Sequence, residues 1–334
     1  MKDIIIVGVG KAALLHFNSY KKIKNIGNIY FVDIKKSSKY FNKITIYCDI
    51  CECIKKNNLN KENLIVDICT PKSEFFNILD ICTEENINDV LIEKPFVIDD
   101  QVMIKYNNLN IVMVENYLYS KLTKYIKQYL DNSKKDISLI YTNFSKNRIP
   151  DSYVGRGYRN DITINYEIEI PHQVYLTQYF LNNPTDIQNS ITCSRDMKIG
   201  DMDLENHGYG LIISKYKDID IIYESNLTSI IAQKRIIICT KDNYSIEGNY
   251  ALYTDDLRLL KAANVSIYKE GKIIENKVNE IDDNFTYFIK NAYDYYNKKS
   301  NNPNIIYNKN FSKIMKLYCQ NLLRRKTRYI EDNK

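Results

Sequence analysis

The sequence lacks any apolar run long enough to cross a membrane, and it contains no long block of basic residues. The first absence predicts that the chain does not span a membrane. The lysines and arginines behind the net charge of +6 are scattered among acidic residues, which leaves nucleic-acid binding a minor hypothesis. The densest basic run, RRKTR at 324–328, ends a helical segment, where cations favour the helix dipole.

Patterns of metal ligands are also missing. Only three histidines occur, and no group of His, Asp and Glu stands at ligand spacing, so we predict no metal. Cys48, Cys51 and Cys53 have no second pair at zinc spacing, and we interpret them as small, partly buried residues. Eight cysteines in 334 residues do not make a disulfide scaffold, and MKDIIIVGVG enters a strand pattern without the features of a signal peptide. We therefore expect a cytoplasmic protein.

Length and patterning predict two domains of the α/β class. A chain of 334 residues exceeds the usual size of one core, and 44% apolar residues suffice to bury two. The first 118 residues alternate short apolar strands with helical segments, which is typical of a parallel sheet with crossover helices. Residues 119–334 contain successive strands such as ISLIYTNF and IDIIYES and then closing helices, which predicts an open, mostly antiparallel sheet.

A glycine-rich turn follows the first strand. GVGKAA opens a helix directly after IIIV, and Gly8 and Gly10 permit a tight turn and the close approach of a pyrophosphate. The small Ala13 lets the helix pack near the strand. Lys11 and Ala12 begin that helix, so the backbone around them faces the phosphates. This pattern predicts a dinucleotide-binding site.

The identity of the dinucleotide depends on the end of the second strand. Asp33 closes that strand at the spacing of the acid that binds the adenosine ribose, and its charge repels a 2′-phosphate. We therefore expect NAD rather than NADP. Lys35 and Lys36 follow closely and could reach a phosphate, so NADP remains the alternative.

A longer stretch carries a family resemblance. VDICTPKSEFFNILDICTEENINDVLIEKPF, residues 66–96, resembles the signature of the glucose-fructose oxidoreductase, inositol dehydrogenase and MocA family, in which one strand ends in Thr-Pro and the next in Glu-Lys-Pro. With GxGxxA before it and an E-x-x-H motif after it, the resemblance extends over essentially the whole chain. It implies a Rossmann domain at 1–118, a substrate-binding and oligomerisation domain at 119–334, and a homodimer or homotetramer.

The resemblance also implies roles for the two strand ends. Thr70, Pro71 and Glu93 become cofactor contacts, and Lys94 lies near the nicotinamide and the reacting oxygen, where its charge orients the substrate and stabilises a developing alkoxide. Pro95 fixes the backbone beyond it, through a peptide bond that family members can hold in the cis form. The alternative is an ordinary surface lysine paired with Glu93.

The second catalytic candidate is a histidine. In the family, an acid three or four residues before a His marks the catalytic segment, and Glu169-Ile170-Pro171-His172 is similar to the three-residue variant. A carboxylate near an imidazole raises its pKa and fixes its tautomer, so we predict His172 as the general acid-base and Glu169 as its partner. The alternative is a structural histidine. His16 is interpreted as a packing or hydrogen-bonding residue, and His207 as a structural or exposed one.

The chain departs from the family pattern at two positions. Phe75 stands where a His is common after Thr-Pro, and Tyr175 stands where an acid follows the catalytic His, which leaves the sugar specificity open. The candidate substrate contacts follow the last strand of the first domain or lie in the loop GRGYR, where arginines could bind a carboxylate or phosphate or could simply be solvated. These candidates are Asn116, Arg156, Tyr158 and Arg159.

Together these residues predict an NAD(P)-dependent oxidoreductase that transfers a hydride between nicotinamide and a sugar-like or polyhydroxylated small molecule. Two alternatives remain. An imine or C=C reductase on the same fold would need only a proton donor. A non-catalytic regulator that senses the dinucleotide would need neither Lys94 nor His172.

Overall fold

The computed structural model describes residues 1–94, 96–97, 100–149, 165–200, 202–253, 259–279, 282–301 and 310–320. In chain order, the strands β1 to β16 are Asp3–Val7, Ile29–Val32, Ile46–Tyr47, Leu64–Ile68, Asp89–Ile92, Asn110–Met113, Ile137–Ser145, Gln188–Ile199, Met202–Tyr216, Ile219–Asn226, Gln233–Thr240, Tyr244–Asn249, Leu252–Tyr253, Leu259–Lys261, Ala263–Lys269 and Lys272–Asn279. The helices α1 to α9 are Lys11–Tyr20, Ile50–Asn57, Phe75–Glu84, Asp100–Lys105, Lys121–Asn132, Asn165–Ile168, Ile170–Phe180, Asn284–Tyr296 and residues 310–320.

The chain divides into two compact units. The first unit comprises Met1–Asn116 and Asn284–Tyr307, and the second comprises Tyr117–Asp283 and Asn308–Lys334. The sequence placed the boundary two positions later, after residue 118. It also assigned all of the C-terminal helices to the second domain, whereas α8 belongs to the first unit.

The first unit contains a six-stranded parallel sheet in the order β3-β2-β1-β4-β5-β6. Strands β4 and β5 are buried along their whole length, as their mostly apolar composition predicts for a sheet covered on both faces. The strand order reverses between β1 and β4, and open parallel sheets bind ligands beyond the carboxyl ends of the strands at such a reversal. The glycine turn follows β1, and Thr70 follows β4.

Two tyrosines of helix α8 donate hydrogen bonds to the backbone of the first unit, to which the helix belongs. The hydroxyl of Tyr293 donates to the carbonyl of Lys2 at 3.0 Å, and that of Tyr296 donates to the carbonyl of Val90 at 2.6 Å. Sequence periodicity predicted the helix, but such contacts between distant parts of the chain leave no periodic signal.

The second unit contains an eight-stranded sheet in the order β16-β15-β12-β11-β7-β10-β9-β8, antiparallel except where β7 pairs with β10. Burial alternates along β10 and β11, so one face of the sheet is covered. Helix α7 packs on that face: Gln173 accepts a hydrogen bond from the hydroxyl of Thr142 at 2.7 Å and donates to the carbonyl of Glu224 at 3.0 Å. These bonds fix the helix that carries His172. Within the described part of the chain, no helix is long and apolar enough to span a bilayer.

Candidate active-site residues

The glycine turn of the first unit has two glycines with different requirements. Gly8 has a φ of +95°, and a Cβ there would lie 2.9 Å from the carbonyl oxygen of Cys69, so the fold itself requires glycine. Gly10 caps the start of α1 and would place a Cβ in open space, with no described atom within 4 Å. The open side of Gly10 therefore leaves room for a ligand at the helix N-terminus.

These glycines make a matched pair of substitutions. We expect Gly8→Ala to lower the free energy of unfolding by about 1–3 kcal/mol, because it combines a strained φ with a backbone clash. Gly10→Ala should leave that free energy nearly unchanged but weaken dinucleotide binding, because its methyl group occupies the open space. Urea denaturation and a titration with NADH measure the two effects. Unchanged binding by Gly10→Ala would contradict a pyrophosphate site at this turn.

Asp33 is held beside the same turn. Its Oδ2 accepts a hydrogen bond from the backbone N–H of Val9 at 2.9 Å, and its Oδ1 accepts one from the N–H of Lys35 at 2.8 Å. The carboxylate is thereby fixed at the end of β2, and its remaining lone pairs can accept from ribose hydroxyls. Lys35 and Lys36 are exposed, so either ammonium group is free to move toward a phosphate.

Thr70 supplies a direct test of whether these residues fit a cofactor. Its hydroxyl is buried and has no hydrogen-bond partner within the described residues. Its methyl group would lie 3.2 Å from a Cβ on Gly8, so the hydroxyl belongs to the same strand ends as the glycine turn. Buried hydroxyls are ordinarily hydrogen-bonded, and an orphaned one at this place suits a bound dinucleotide. The residues present therefore fit the predicted cofactor.

The Glu-Lys-Pro segment begins directly after β5. The backbone N–H of Glu93 donates to the carbonyl of Ile68 at 3.1 Å, which continues the sheet pairing with β4. The Oε2 of Glu93 accepts from the backbone N–H of Lys94 at 3.2 Å, and Lys94 itself is half-buried. Pro95 and the peptide bond between Lys94 and Pro95 lie outside the described part of the chain.

His16, interpreted from the sequence as a packing or hydrogen-bonding residue, is hydrogen-bonded to two carboxylates. Its Nδ1 lies 2.8 Å from Oδ2 of Asp67, and its Nε2 lies 3.0 Å from Oε1 of Glu93. Burial acts to lower the pKa of His16, but the charge of Asp67 raises it well above the ordinary value. Burial acts to raise the pKa of Glu93, but its hydrogen bond to His16 and the charges of His16 and Lys94 lower it. The sequence showed no signal for this pairing beyond an acid inside the apolar strand β4.

His16, Asp67 and Cys69 also place ligand-type atoms close together, the one such group among the described residues. The separation of 2.8 Å between Nδ1 and Oδ2 is a hydrogen-bond distance. Burial, with the nearby charge of Asp67, raises the pKa of Cys69 to about 12, so its thiol keeps the proton that a metal would have to displace. A hydrogen bond accounts for the short distance between His16 and Asp67 in this group.

Two polar residues follow β6. Asn116, a predicted substrate contact, is buried, and its Nδ2 donates to Oδ1 of Asn284 at 3.0 Å. Glu115 was not predicted: it is fully buried, and neither carboxyl oxygen has a hydrogen-bond partner within the described residues. Burial raises the pKa of Glu115 well above the ordinary value, because the charged form loses its solvation, and so favours the protonated carboxyl group.

In the second unit, His172 lies in an aromatic cage near the start of α7. Its Nδ1 lies 2.6 Å from the hydroxyl of Tyr175, and the ring of Tyr117 meets the imidazole edge-to-face at 5.0 Å. The ring of Phe144 lies 6.2 Å away. His172 is 8% exposed. Tyr175, the departure from the family pattern, therefore orients the imidazole ring.

Glu169 binds two cations. Its Oε1 accepts from Arg148 at 2.6 Å, and its Oε2 lies 3.6 Å from the ammonium of Lys234. The carboxylate is 1% exposed. The expected role of Glu169 beside His172 stays a prediction, since the described hydrogen bond of the imidazole is with Tyr175.

Lys234 is a second residue that sequence reasoning missed. Its ammonium group is hydrogen-bonded to the hydroxyl of Tyr117 and lies 4.8 Å from the centre of that ring. Burial acts to lower the pKa of Lys234, but the charge of Glu169 and the hydroxyl of Tyr117 raise it, so the amine stays charged. Lys234 joins Glu169 to the aromatic cage of His172. The remaining substrate candidates, Arg156, Tyr158 and Arg159, lie outside the described residues.

Comparisons with known proteins match this chain through its fold. No protein-family model and no curated protein matches the sequence. A mutant of the 3-ketoreductase KijD10 from Actinomadura kijaniata, in complex with TDP-benzene and NADP, matches with a TM-score of 0.73 and 11% identity, over 96% of this chain and 97% of that chain. The UDP-N-acetylglucosamine 3-dehydrogenase GnnA from Acidithiobacillus ferrooxidans matches with a TM-score of 0.70 and 12% identity, over 96% of this chain and 97% of that one.

A third structure, the dehydrogenase MviM from Clostridium difficile, matches with a TM-score of 0.67 and 12% identity, over 96% of this chain and 99% of that chain. At such low identities the likeness is one of fold. It confirms the predicted fold class, a parallel Rossmann-like sheet followed by a second α/β unit.

Proposed function

We propose that this protein is an NAD(P)-dependent oxidoreductase that interconverts an alcohol and a carbonyl group in a sugar-like or polyhydroxylated small molecule. The observation that carries the proposal is the turn at Gly8 and Gly10, which opens α1 beside the fixed carboxylate of Asp33. The orphaned hydroxyl of Thr70 supports a ligand at the same strand ends. The solved 3-ketoreductase and UDP-N-acetylglucosamine 3-dehydrogenase support it through their similar fold.

The first unit supplies the groups that would hold the cofactor. The backbone around Gly10, Lys11 and Ala12 would bind the pyrophosphate, and Asp33 would accept from the adenosine ribose. Thr70, Pro71 and Glu93 would lie toward the nicotinamide, which accepts or donates the hydride. Asp33 favours NAD, and Lys35 and Lys36 are the residues that would favour NADP. The homo-oligomer implied by the family resemblance stays a prediction.

The chemistry on the substrate requires a proton acceptor and a positive charge. In the oxidative direction, His172 takes the hydroxyl proton through Nε2 while Tyr175 holds Nδ1. Lys94 of the first unit stabilises negative charge that develops on a substrate oxygen. In the reductive direction, Lys94 polarises the carbonyl and His172 returns the proton.

A titration of the purified protein with NADH and NADPH tests the cofactor half of the proposal. The chain contains no tryptophan, so nicotinamide fluorescence can be followed against a low background. We expect saturable binding that prefers NADH, and weaker NADH binding with relatively better NADPH binding in Asp33→Asn. In Lys35→Ala, NADH binding should be unchanged. Binding of neither dinucleotide by the unmodified protein would contradict the proposed function.

A further inference from the structure

The buried imidazole of His16 has a carboxylate on each ring nitrogen. Asp67 Oδ2 lies 2.8 Å from Nδ1, and Glu93 Oε1 lies 3.0 Å from Nε2. The side chains of His16 and Asp67 are fully buried, and that of Glu93 is 18% exposed. These three residues, called here the His16 chain, join α1 to the carboxyl ends of β4 and β5.

Counting protons limits the charge states of the His16 chain. An ionised carboxylate only accepts hydrogen bonds, and a neutral imidazole has a single N–H. A neutral ring between two ionised carboxylates would therefore set one nitrogen lone pair against a carboxylate oxygen. An imidazolium donates to both oxygens. The three groups then share one net negative charge, and one of them, Glu93, directly precedes Lys94 in the sequence.

The other groups around the His16 chain favour the imidazolium. The thiol of Cys69 stays protonated, and the ring of Phe285 meets the imidazole edge-to-face at 5.0 Å without adding charge. Burial and nearby carboxylate charges, including that of Asp67, raise the pKa values of the Tyr20 and Tyr296 hydroxyls, which remain neutral. Among the described residues, the charged groups that act on the His16 chain are Asp67, Glu93 and Lys94.

The His16 chain reaches Lys94 through Glu93. One oxygen of Glu93 is held by His16, and the other accepts from the backbone N–H of Lys94 at 3.2 Å. Each carboxylate oxygen of Glu93 thus has a hydrogen-bond partner. The carboxylate thereby fixes the backbone position of Lys94. Without the imidazolium, the half-buried carboxylate of Glu93 would lose its cationic partner, and it would take up a proton or turn away.

We propose that His16 is a positioning residue of the nicotinamide site: as an imidazolium between Asp67 and Glu93, it holds the Glu93 carboxylate that sets the backbone of Lys94. The positioning role rests on the proposed oxidoreductase function, whereas the charge state of His16 does not. The same imidazolium joins the helix that Gly10 caps to the strand end that carries Lys94, so it connects both ends of the expected cofactor site within the first unit.

Nitrogen NMR of the ring can measure the charge state in the full-length protein. With only three histidines, selective ¹⁵N-histidine labelling gives three ring spectra, which His16→Gln, His172→Gln and His207→Gln assign. We expect both nitrogens of His16 to keep their hydrogens at pH values well above the ordinary imidazole pKa of 6.5. A single neutral tautomer, or a titration near the ordinary pKa of 6.5, would overturn the inference even if His16→Gln failed to fold.

Kinetics measure the positioning role. We expect His16→Gln to lower kcat by roughly 10- to 100-fold, because a small displacement of a catalytic group has a large effect on rate. It should also add an ionisation on the acid side of the kcat profile, because Glu93 without the imidazolium binds a proton more readily. His207→Gln, which replaces a buried histidine of the second unit, should retain the wild-type profile.

A double-mutant cycle separates positioning from a general effect on the fold. If His16 acts through Glu93, adding His16→Gln to Glu93→Gln should lower kcat little further, and the extra acid-side ionisation should be absent from the double variant. Losses that multiply in the double variant would overturn the positioning role. Unchanged kcat in His16→Gln would do the same.

The cofactor titration distinguishes this inference from the proposed function. A neutral His16 in a protein that binds NADH would overturn the inference alone. A doubly protonated His16 in a protein that binds neither dinucleotide would overturn the proposed function and the positioning role with it, while the charged His16 chain would stand.

Discussion

Replacing His172 by asparagine is expected to lower kcat by about 10²- to 10⁴-fold while NADH affinity stays nearly unchanged. Asparagine retains polar atoms near the site of Nδ1, but it cannot exchange a proton near neutral pH. The residues expected to bind the cofactor belong to the first unit, and His172 belongs to the second. Steady-state kinetics with a substrate found by screening sugars and polyols, together with the NADH titration, measure both quantities.

The contact with Tyr175 makes this prediction more specific. To act as a base through Nε2, the imidazole must keep its hydrogen on Nδ1 and donate it to the hydroxyl oxygen of Tyr175, 2.6 Å away. We expect Tyr175→Phe to lower kcat by less than His172→Asn. The phenyl ring keeps the packing around the imidazole, but without the hydroxyl it no longer fixes the hydrogen on Nδ1. A Tyr175→Phe variant with the same kcat and pH profile as the wild type would contradict this orientation.

His207→Asn is the matched control for His172. Both imidazoles are buried in the second unit, so any general effect of removing a buried ring should appear in both variants. We expect the control to retain kcat in the folded fraction, as judged by circular dichroism. Equal kcat losses in the two variants would remove His172 from the mechanism.

Most of the fold could be predicted because its signals are local. Continuous apolar runs marked β1, β4 and β5, since strands of a parallel sheet are covered on both faces. Strand β3 has only two residues, too few to show a pattern. Strand β16 lies at the edge of its sheet and is exposed along its described side chains, so neither alternation nor apolar continuity distinguishes it from a loop.

The residues of the candidate site also differ in whether local sequence signals reveal them. Gly8, Gly10 and Asp33 are recognised by short spacings along the chain, and the structure brings them together at one turn. His16 and Lys234 acquire their roles from partners far away in sequence. A histidine on a helix or a lysine at the start of a strand looks ordinary until the fold places a buried carboxylate beside it.

Lys94→Met is expected to lower kcat by about 10²- to 10³-fold, the usual effect of removing one charged donor from a developing oxyanion. Methionine retains much of the length of the side chain without its charge, so the packing should change little. Lys94→Arg keeps the charge and should recover part of the lost kcat, although its wider planar group cannot reproduce a compact ammonium. NADH affinity should change far less than kcat in both variants.

The Lys94→Met variant also separates the role of the Lys94 ammonium group from that of the Glu93 carboxylate that positions it. Lys94→Met retains the backbone N–H that donates to Glu93, so the imidazolium spectrum of His16 should persist in this variant. Lys24→Met, at an exposed position of the same unit, should leave kcat unchanged. If Lys94→Met also left kcat unchanged, Lys94 would be an ordinary lysine paired with Glu93. A lowered kcat with an intact His16 spectrum would instead assign the loss to the ammonium group itself, because the carboxylate that positions it would still be in place.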